Sequence, residues 1–455
     1  MKVVLVYPNI ARLGFFCAGG PEPYMQDKRQ KPLGLLYLAS ALIKQGHEVE
    51  MLDLRFLTGF KDYEKRLMQL SPDLVGISFM TPSRDYAFRC AEIAKEQGRW
   101  VVGGGVYATR GHADMIDGGY FDYVITGEGD ISFPVLVADL EKGDATGGKV
   151  IRGEMPRSLD ELPFPDIRLY DLDFYTAIPG WGGFRTPATG LICTRGCPAR
   201  CTFCKPLAEE MFGKKIRFRS IDNVMEEIGW YVEELGVKTI HTYDDTFTFK
   251  RSYVLEFCER MAGAGLDVDW TVNTRSNCID DEVAAALKRG GCKMVSFGFE
   301  SGSQRILDFI KKGITVEQSL RAAEACHRHG IRFLGNILVG VPGETDEDFE
   351  LTYDFLRRAR PEIVYVNNLI PFPGTEIREY CEEKGILKPV MNYEDYMSCL
   401  DSEPLAGVDY GRVRRFASLV ERGKLLSAVD RYADPLRRRA DRLVSKARDR
   451  LRYVW

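Results

Sequence analysis

The sequence predicts an α/β protein: a doubly wound, Rossmann-like parallel sheet, then a partial (β/α)6 barrel of the TIM type, then a C-terminal helical segment. Three observations predict it. Strand-like apolar runs, helical spacing and glycine-rich turns rotate through roughly the first 145 residues. The rotation restarts near Gly190 and continues to about Gly385, and the composition turns basic after Asp409. Domains are expected over 1–145, 187–390 and 391–455, with a proline-bearing linker at 146–186.

The first part opens on the apolar run Val3 to Tyr7, which stops at Pro8. Leu35 to Lys44 has helical apolar spacing, Glu48 to Leu52 and Leu74 to Phe79 read as strands, and Ala87 to Gln97 as a helix. Trp100 to Val102 runs into Gly103-Gly104-Gly105, and Tyr123 to Thr126 into Gly127-Glu128-Gly129. Glycines after strands suit a ligand bound beyond the strand carboxyl ends, or simply tight turns, since no G-x-G-x-x-G fingerprint is present. Past Pro156, Pro163 and Pro165 the expected barrel strands are 189–193, 239–243, 269–273, 294–298, 333–339 and 363–369. Chemistry in such barrels sits at the strand carboxyl ends.

Between Gly411 and Trp455 fourteen Lys/Arg face five Asp/Glu, a net charge of +9 against −13 for the rest of the chain. Leu436, Ala440, Leu443, Val444, Ala447, Leu451 and Val454 recur at helical spacing among these cations, a basic amphipathic helix. It reads as a docked helix with a solvated face or as a surface for a membrane or acidic partner. With 45% hydrophobic and 28% charged residues, wholesale disorder is excluded, and a formal charge of −4 argues against a nucleic-acid coat. No apolar run approaches the ~20 residues of a membrane span, and Met1 leads directly into a strand-like run, so a cytoplasmic protein is expected.

Eight of the twelve cysteines are scattered: Cys17, Cys90, Cys258, Cys278, Cys292, Cys326, Cys381 and Cys399. The other four crowd the stretch Cys193-Thr-Arg-Gly-Cys197-Pro-Ala-Arg-Cys201-Thr-Phe-Cys204. Thiolates on one compact loop suit an iron–sulfur cluster, because every iron needs a soft anionic ligand. Structural zinc more often staples two separated pairs.

Cys197-x3-Cys201-x2-Cys204, placed after the first barrel strand and flanked by Thr194-Arg195-Gly196 and Phe203, resembles the radical S-adenosylmethionine (SAM) superfamily. The resemblance implies that these three cysteines hold a [4Fe–4S] cluster whose open fourth iron chelates SAM. Reduction then splits the sulfonium to give a 5′-deoxyadenosyl radical. Cys193 as a fourth ligand would leave only electron transfer. Later motifs extend the match at successive strand ends: Asp244 and Asp245 for the SAM ammonium, Arg275 (with Asn273 nearby) for its carboxylate, Glu300 and Ser301 for the ribose. The segment holding Ile337 and Gly340 resembles the one that backs the adenine, Phe203 lies within the cysteine motif, and Pro371-Phe-Pro-Gly-Thr375 closes the sixth unit.

Lys31-Pro-Leu-Gly34 opening a helix, the Gly103–Gly105 run and Gly127-Glu128-Gly129 are similar to the cobalamin-binding domain of the cobalamin-dependent radical SAM class. That similarity implies cobalamin contacts at Gly34, Leu35, Ser78, Gly103, Gly104, Gly105, Gly127 and Glu128. The five histidines, His47, His112, His241, His327 and His329, include none in an Asp-x-His-x-x-Gly motif, so cobalt would lack a protein imidazole. The resemblance implies an anaerobic methyltransferase that methylates an unactivated carbon or phosphorus centre through methylcobalamin. Alternatives are an oxidative cyclase, ring-rearranging or carbon–carbon coupling enzyme without methyl transfer, and, from another class, a SAM or cobalamin sensor. Expected partners are a small-molecule, lipid-like or peptide substrate and an electron donor such as flavodoxin or ferredoxin, with peripheral membrane contact through the basic helix. Cys17, Tyr107 and Cys399 lie in stretches read as loops that could reach the radical, or are simply buried thiols and a packing phenol.

Overall fold

A computed structural model describes residues 1–8, 32–145, 149–170, 184–389 and 403–432, the last with side chains to 423. The chain divides into two compact units, 1–408 and 409–455.

The first sheet contains β1 (Lys2–Tyr7), β2 (Glu48–Asp53), β3 (Leu74–Ser78), β4 (Trp100–Gly104), β5 (Tyr123–Thr126) and β6 (Val150–Arg152). Their order is β2-β1-β3-β4-β5-β6, and every pairing is parallel. Val3 through Val6 are all fully buried because helices cover both faces, which is why β1 reads as an unbroken apolar run. Val4 and Val6 face one core with Ile77 and Phe88; Val3 and Leu5 face the other with Leu35, Leu42 and Phe133. Helices at Phe60–Leu70, Val106–Asp117 and Ser132–Lys142 complete the layers. Strand β6 was not foreseen: it lies in the stretch read as a linker, and three residues are too few to show a period.

The strand order reverses between β1 and β3, and in a parallel sheet that switch point is where a crevice opens at the carboxyl end. Gly105 turns the chain there with φ +90°. A β-carbon on it would sit 2.6 Å from the Phe79 carbonyl oxygen, so only glycine lets β4 pass this close to the end of β3.

The second sheet is formed by β7 (Ala188–Leu191), β10 (Thr239–Thr242), β11 (Asp269–Thr274), β12 (Cys292–Glu300), β13 (Arg332–Val339) and β14 (Ile363–Asn368). A short antiparallel hairpin, β8 (Thr194–Arg195) with β9 (Arg217–Phe218), follows β7 and was also missed. The six barrel strands are parallel in the order β14-β13-β12-β11-β10-β7, the open six-unit arrangement expected. Strand β7 ends at Leu191, two residues before Cys193, which occupies a bend instead of the strand end. The register of β12 slips between Gly298 and Glu300, and Glu300 takes φ +63°. That bulge re-aims the Glu300 side chain at the strand terminus. Phe184, Met294 and Leu334 pack together with Ile363 and Tyr365.

In the second unit a helix spans Tyr410–Tyr432, with buried Val413, Phe416, Ala417 and Val420 at helical spacing. The basic amphipathic stretch Leu436 to Val454 lies outside the described residues. No described helix is long and apolar enough to cross a membrane.

Candidate active site at the facing strand ends

The cysteine loop is pinned from four sides. The Asp244 carboxylate accepts the backbone N–H of Cys193 at 3.0 Å and that of Thr194. Lys205 Nζ donates to the Cys197 carbonyl at 2.8 Å, and the Thr202 N–H donates to the Ile310 carbonyl at 3.0 Å. The segment expected to close the sixth unit instead locks onto this loop: the Leu207 N–H donates to the Gly374 carbonyl, and the Glu376 N–H to the Lys205 carbonyl, at 3.1 and 2.7 Å. First and last barrel units are therefore joined through the cysteine loop.

Cys201 is buried, Cys197 half-buried and Cys204 exposed. Enough protein surrounds Cys204 that burial, then Cys201 and Glu300, push its thiol up to about 12. Arg275 Nη1 donates to Cys201 Sγ at 3.5 Å, while its Nη2 is held by the Lys312 carbonyl. Cys197 Sγ lies 3.7 Å from Thr246 Oγ1. Among the described residues no three His, Cys, Asp or Glu side chains converge on one ion. Three thiols on one short loop suit the corners of a multi-iron cluster. Cys193 is fully buried, and burial, with Asp244 beside it, raises its thiol well above the ordinary range.

The residues expected around SAM divide into two groups. Asp245 is exposed and borders the cavity described below; Glu300 is near Cys204 and pairs with Lys312 Nζ at 2.6 Å; Phe203 lies 5.9 Å from the same ammonium. Asp244, Ser301 and Ile337 face protein instead. Asp244 is spent on the Cys193–Thr194 backbone, and the Ser301 hydroxyl bonds Thr352 Oγ1 and accepts the Ser303 N–H. Ile337 is completely buried, and the Gly340 N–H is taken by Glu344 at 2.8 Å. Arg275, expected on a SAM carboxylate, is committed to a cysteine sulfur and a carbonyl; Asn273 bonds the Thr242 carbonyl at 3.0 Å. Lys205, Thr246 and Lys312 were missed, although Lys205 adjoins Cys204 directly in sequence.

A cavity of about 430 Å³ separates the carboxyl ends of the first sheet from the cysteine loop. All the residues expected to meet cobalamin border it, and Thr194, Gly196, Tyr243 and Asp245 face them from the second sheet. Apolar side chains line much of it, with stretches of bare glycine backbone between them. A β-carbon added at Gly34 would meet no atom within 4 Å, and one at Gly104 only the Ile125 carbonyl at 3.8 Å. Such stretches let a broad flat ring lie against the strand ends, so the residues present fit a corrin. Glu128 corrects the expectation in part: it borders the cavity, but its carboxylate is taken by Arg195 at 3.0 Å and by Arg217. Tyr107 does not reach outward; it stacks on Phe79 at 5.3 Å and donates to Asp114 at 2.7 Å. Cys17 and Cys399 lie outside the described residues.

Residues 191–356 match the model of the radical SAM superfamily, and residues 28–137 that of the B12 binding domain. An uncharacterized methyltransferase of Pyrococcus horikoshii is 36% identical over 413 residues, 87% of this chain and 86% of the relative. The chain belongs to the cobalamin-binding radical SAM family. As a member of that family it is an enzyme whose cofactors are a [4Fe–4S] cluster, SAM and cobalamin. The bacteriochlorophyllide d C-12(1)-methyltransferase of Chlorobaculum tepidum is 29% identical across 74% of this radical SAM chain and 71% of its own. The anaerobic magnesium-protoporphyrin IX monomethyl ester cyclase of Rubrivivax gelatinosus is 27% identical across 87% and 72%. In fold, the radical SAM methyltransferase TsrM of Kitasatospora setae superposes with a TM-score of 0.67 at 20% identity, over 86% of this chain and 80% of that one.

Proposed function

We propose that this enzyme methylates an unactivated carbon or phosphorus centre, with Cys197, Cys201 and Cys204 holding the cluster and the cavity holding cobalamin. The carrying observation is that one cavity borders both the first-sheet strand ends and the cysteine loop, so a group moved between the two sites never leaves the protein. When bound, the cluster supplies the electron that splits SAM, and the corrin accepts and passes on a methyl group. The chain's own residues do the rest. Asp245, Phe203 and Glu300 line the SAM position, Asp244 fixes the loop from behind, and the Gly103–Gly105 turn leaves room for the ring. The substrate is a small-molecule, lipid-like or peptide compound, reduction comes from a flavodoxin or ferredoxin, and the enzyme works in the cytoplasm. Contact with a membrane surface through the basic C-terminal stretch belongs to the same reading.

The test is an anaerobic incubation of the reconstituted enzyme with SAM, hydroxocobalamin and dithionite. Methyl transfer predicts S-adenosylhomocysteine together with 5′-deoxyadenosine. 5′-Deoxyadenosine alone would move the assignment to the cyclase chemistry named for the Rubrivivax relative, and SAM binding without either product would make the protein a sensor.

Arg275 is assigned to the cluster's potential. A guanidinium N–H on the Cys201 sulfur stabilises negative charge, and the reduced cluster carries one more of it. Arg275→Met is expected to lower the midpoint on the order of 60 mV, equivalent to ~1.4 kcal/mol for one electron. An EPR-monitored redox titration reads it, and an unchanged midpoint accompanied by weakened SAM binding would return Arg275 to the SAM carboxylate.

A further inference from the structure

Two residues before Cys197, the Arg195 side chain leaves the cysteine loop and enters the first domain. Its Nη1 lies 3.0 Å from Glu128 Oε2 and 2.6 Å from Asp130 Oδ2, and its Nη2 3.1 Å from Asp130 Oδ1. The guanidinium also lies over the Tyr37 ring, 5.2 Å from its centre. Arg217, on the other strand of the hairpin that brackets the cysteine loop, takes the second Glu128 oxygen. Side-chain exposures are 10% for Arg195, 22% for Arg217, 2% for Glu128 and 9% for Asp130. Two cations and two carboxylates thus stand together, largely out of water, with no net charge.

Their placement gives the cluster a second meaning. Glu128 and Asp130 belong to the turn whose Gly127 and Gly129 form one wall of the cavity, and Tyr37 rides on the helix whose first turn brings Gly34 to it. Arg195 therefore grips two walls of the first-domain cavity from the second domain. Buried charge is tolerated only while it is balanced, and removing one partner strands the rest at a cost larger than the pair itself is worth.

We propose that Arg195, Arg217, Glu128 and Asp130 are a charge-balanced clasp that holds the Gly127–Gly129 wall in its cobalamin-accepting position, so the corrin site is complete only with the cysteine hairpin docked. These are positioning residues. The inference rests on the reading of the cavity as the cobalamin site.

The experiment titrates hydroxocobalamin anaerobically into the full-length chain carrying its reconstituted cluster, following the corrin absorbance. Arg195→Met is expected to raise the dissociation constant at least tenfold, and Arg195→Lys to stay within about threefold. Glu128→Gln, which lies outside the cysteine loop, is expected to weaken binding in the same direction with iron and sulfide content unchanged. The decisive arm is the double variant Arg195→Met/Asp130→Asn. Removing one charge of each sign restores neutrality, so it binds cobalamin more tightly than Arg195→Met alone, whereas a mere loss of contacts would make it weaker. Variants that bind as wild type does, or a double variant weaker than the single, overturn the clasp alone. A wild-type chain that takes up no cobalamin overturns the reading of the cavity beneath it.

Discussion

Cys204→Ala, Cys201→Ala and Cys197→Ala are each expected to lose reductive SAM cleavage by three orders of magnitude or more, with the reconstituted cluster's visible absorbance lost or converted. Cys193→Ala is expected to stay within a few-fold of wild type in 5′-deoxyadenosine formation. The contrast follows from where the four thiols stand. Cys193 is fully buried in a bend behind the loop, packed near Asp244 and Arg219, and stands outside the Cys197-x3-Cys201-x2-Cys204 spacing. The three loop cysteines differ in one shared respect: they follow the hairpin strand that projects toward the cavity, with Arg275 and Lys205 close by to offset negative charge. A Cys193→Ala variant that lost its cluster would mean that all four iron positions are filled, leaving no site for SAM.

The second large effect belongs to Asp244. Asp244→Ala is expected to abolish cluster retention, measured as iron and sulfide per chain after anaerobic desalting. Asp244→Asn is expected to keep most of it. The carboxylate accepts two backbone N–H groups from the residues that lead into the cysteine loop, at 2% exposure. Removing the acceptor strands two buried donors at about 1–3 kcal/mol each, on a loop whose geometry the cluster depends on. An Asn oxygen still accepts both.

Burial, opposed by those N–H groups, raises the Asp244 carboxyl to about 7. A carboxyl raised in the folded state contributes stability that is fully present below its unfolded pKa near 4 and is lost as pH rises through about 7. Asp244→Asn is therefore expected to flatten the fall in thermal stability between about pH 4 and pH 7. If Asp244→Asn instead kept the cluster but lost SAM affinity, the residue would be a SAM ligand after all.

Much of the site was legible because its signals are local. The spacing of Cys197, Cys201 and Cys204 lies within eight residues. Glycines at the ends of β4 and β5 suit a close approach of backbone, and Gly103, Gly104, Gly105, Gly127 and Gly129 all border one cavity. The alternation of strand and helix carried both parallel sheets, since a strand covered on both faces shows as an unbroken apolar run. Short elements escaped. Strand β6 and the β8–β9 hairpin have three and two residues per strand, less than any period can reveal.

By itself, then, the amino-acid order determined which residue types stand at each strand end and which metal chemistry the thiols suit. Only the tertiary structure decided which of those polar groups border the cavity and which turn toward the protein. Glu128 and Arg195 are 67 residues apart, Asp244 and Thr194 are 50, and Ser301 and Thr352 are 51. A carboxylate or hydroxyl at a strand end takes whichever donor the fold delivers first. In a site enclosed by protein, that partner came from across the molecule, where no local pattern could announce it.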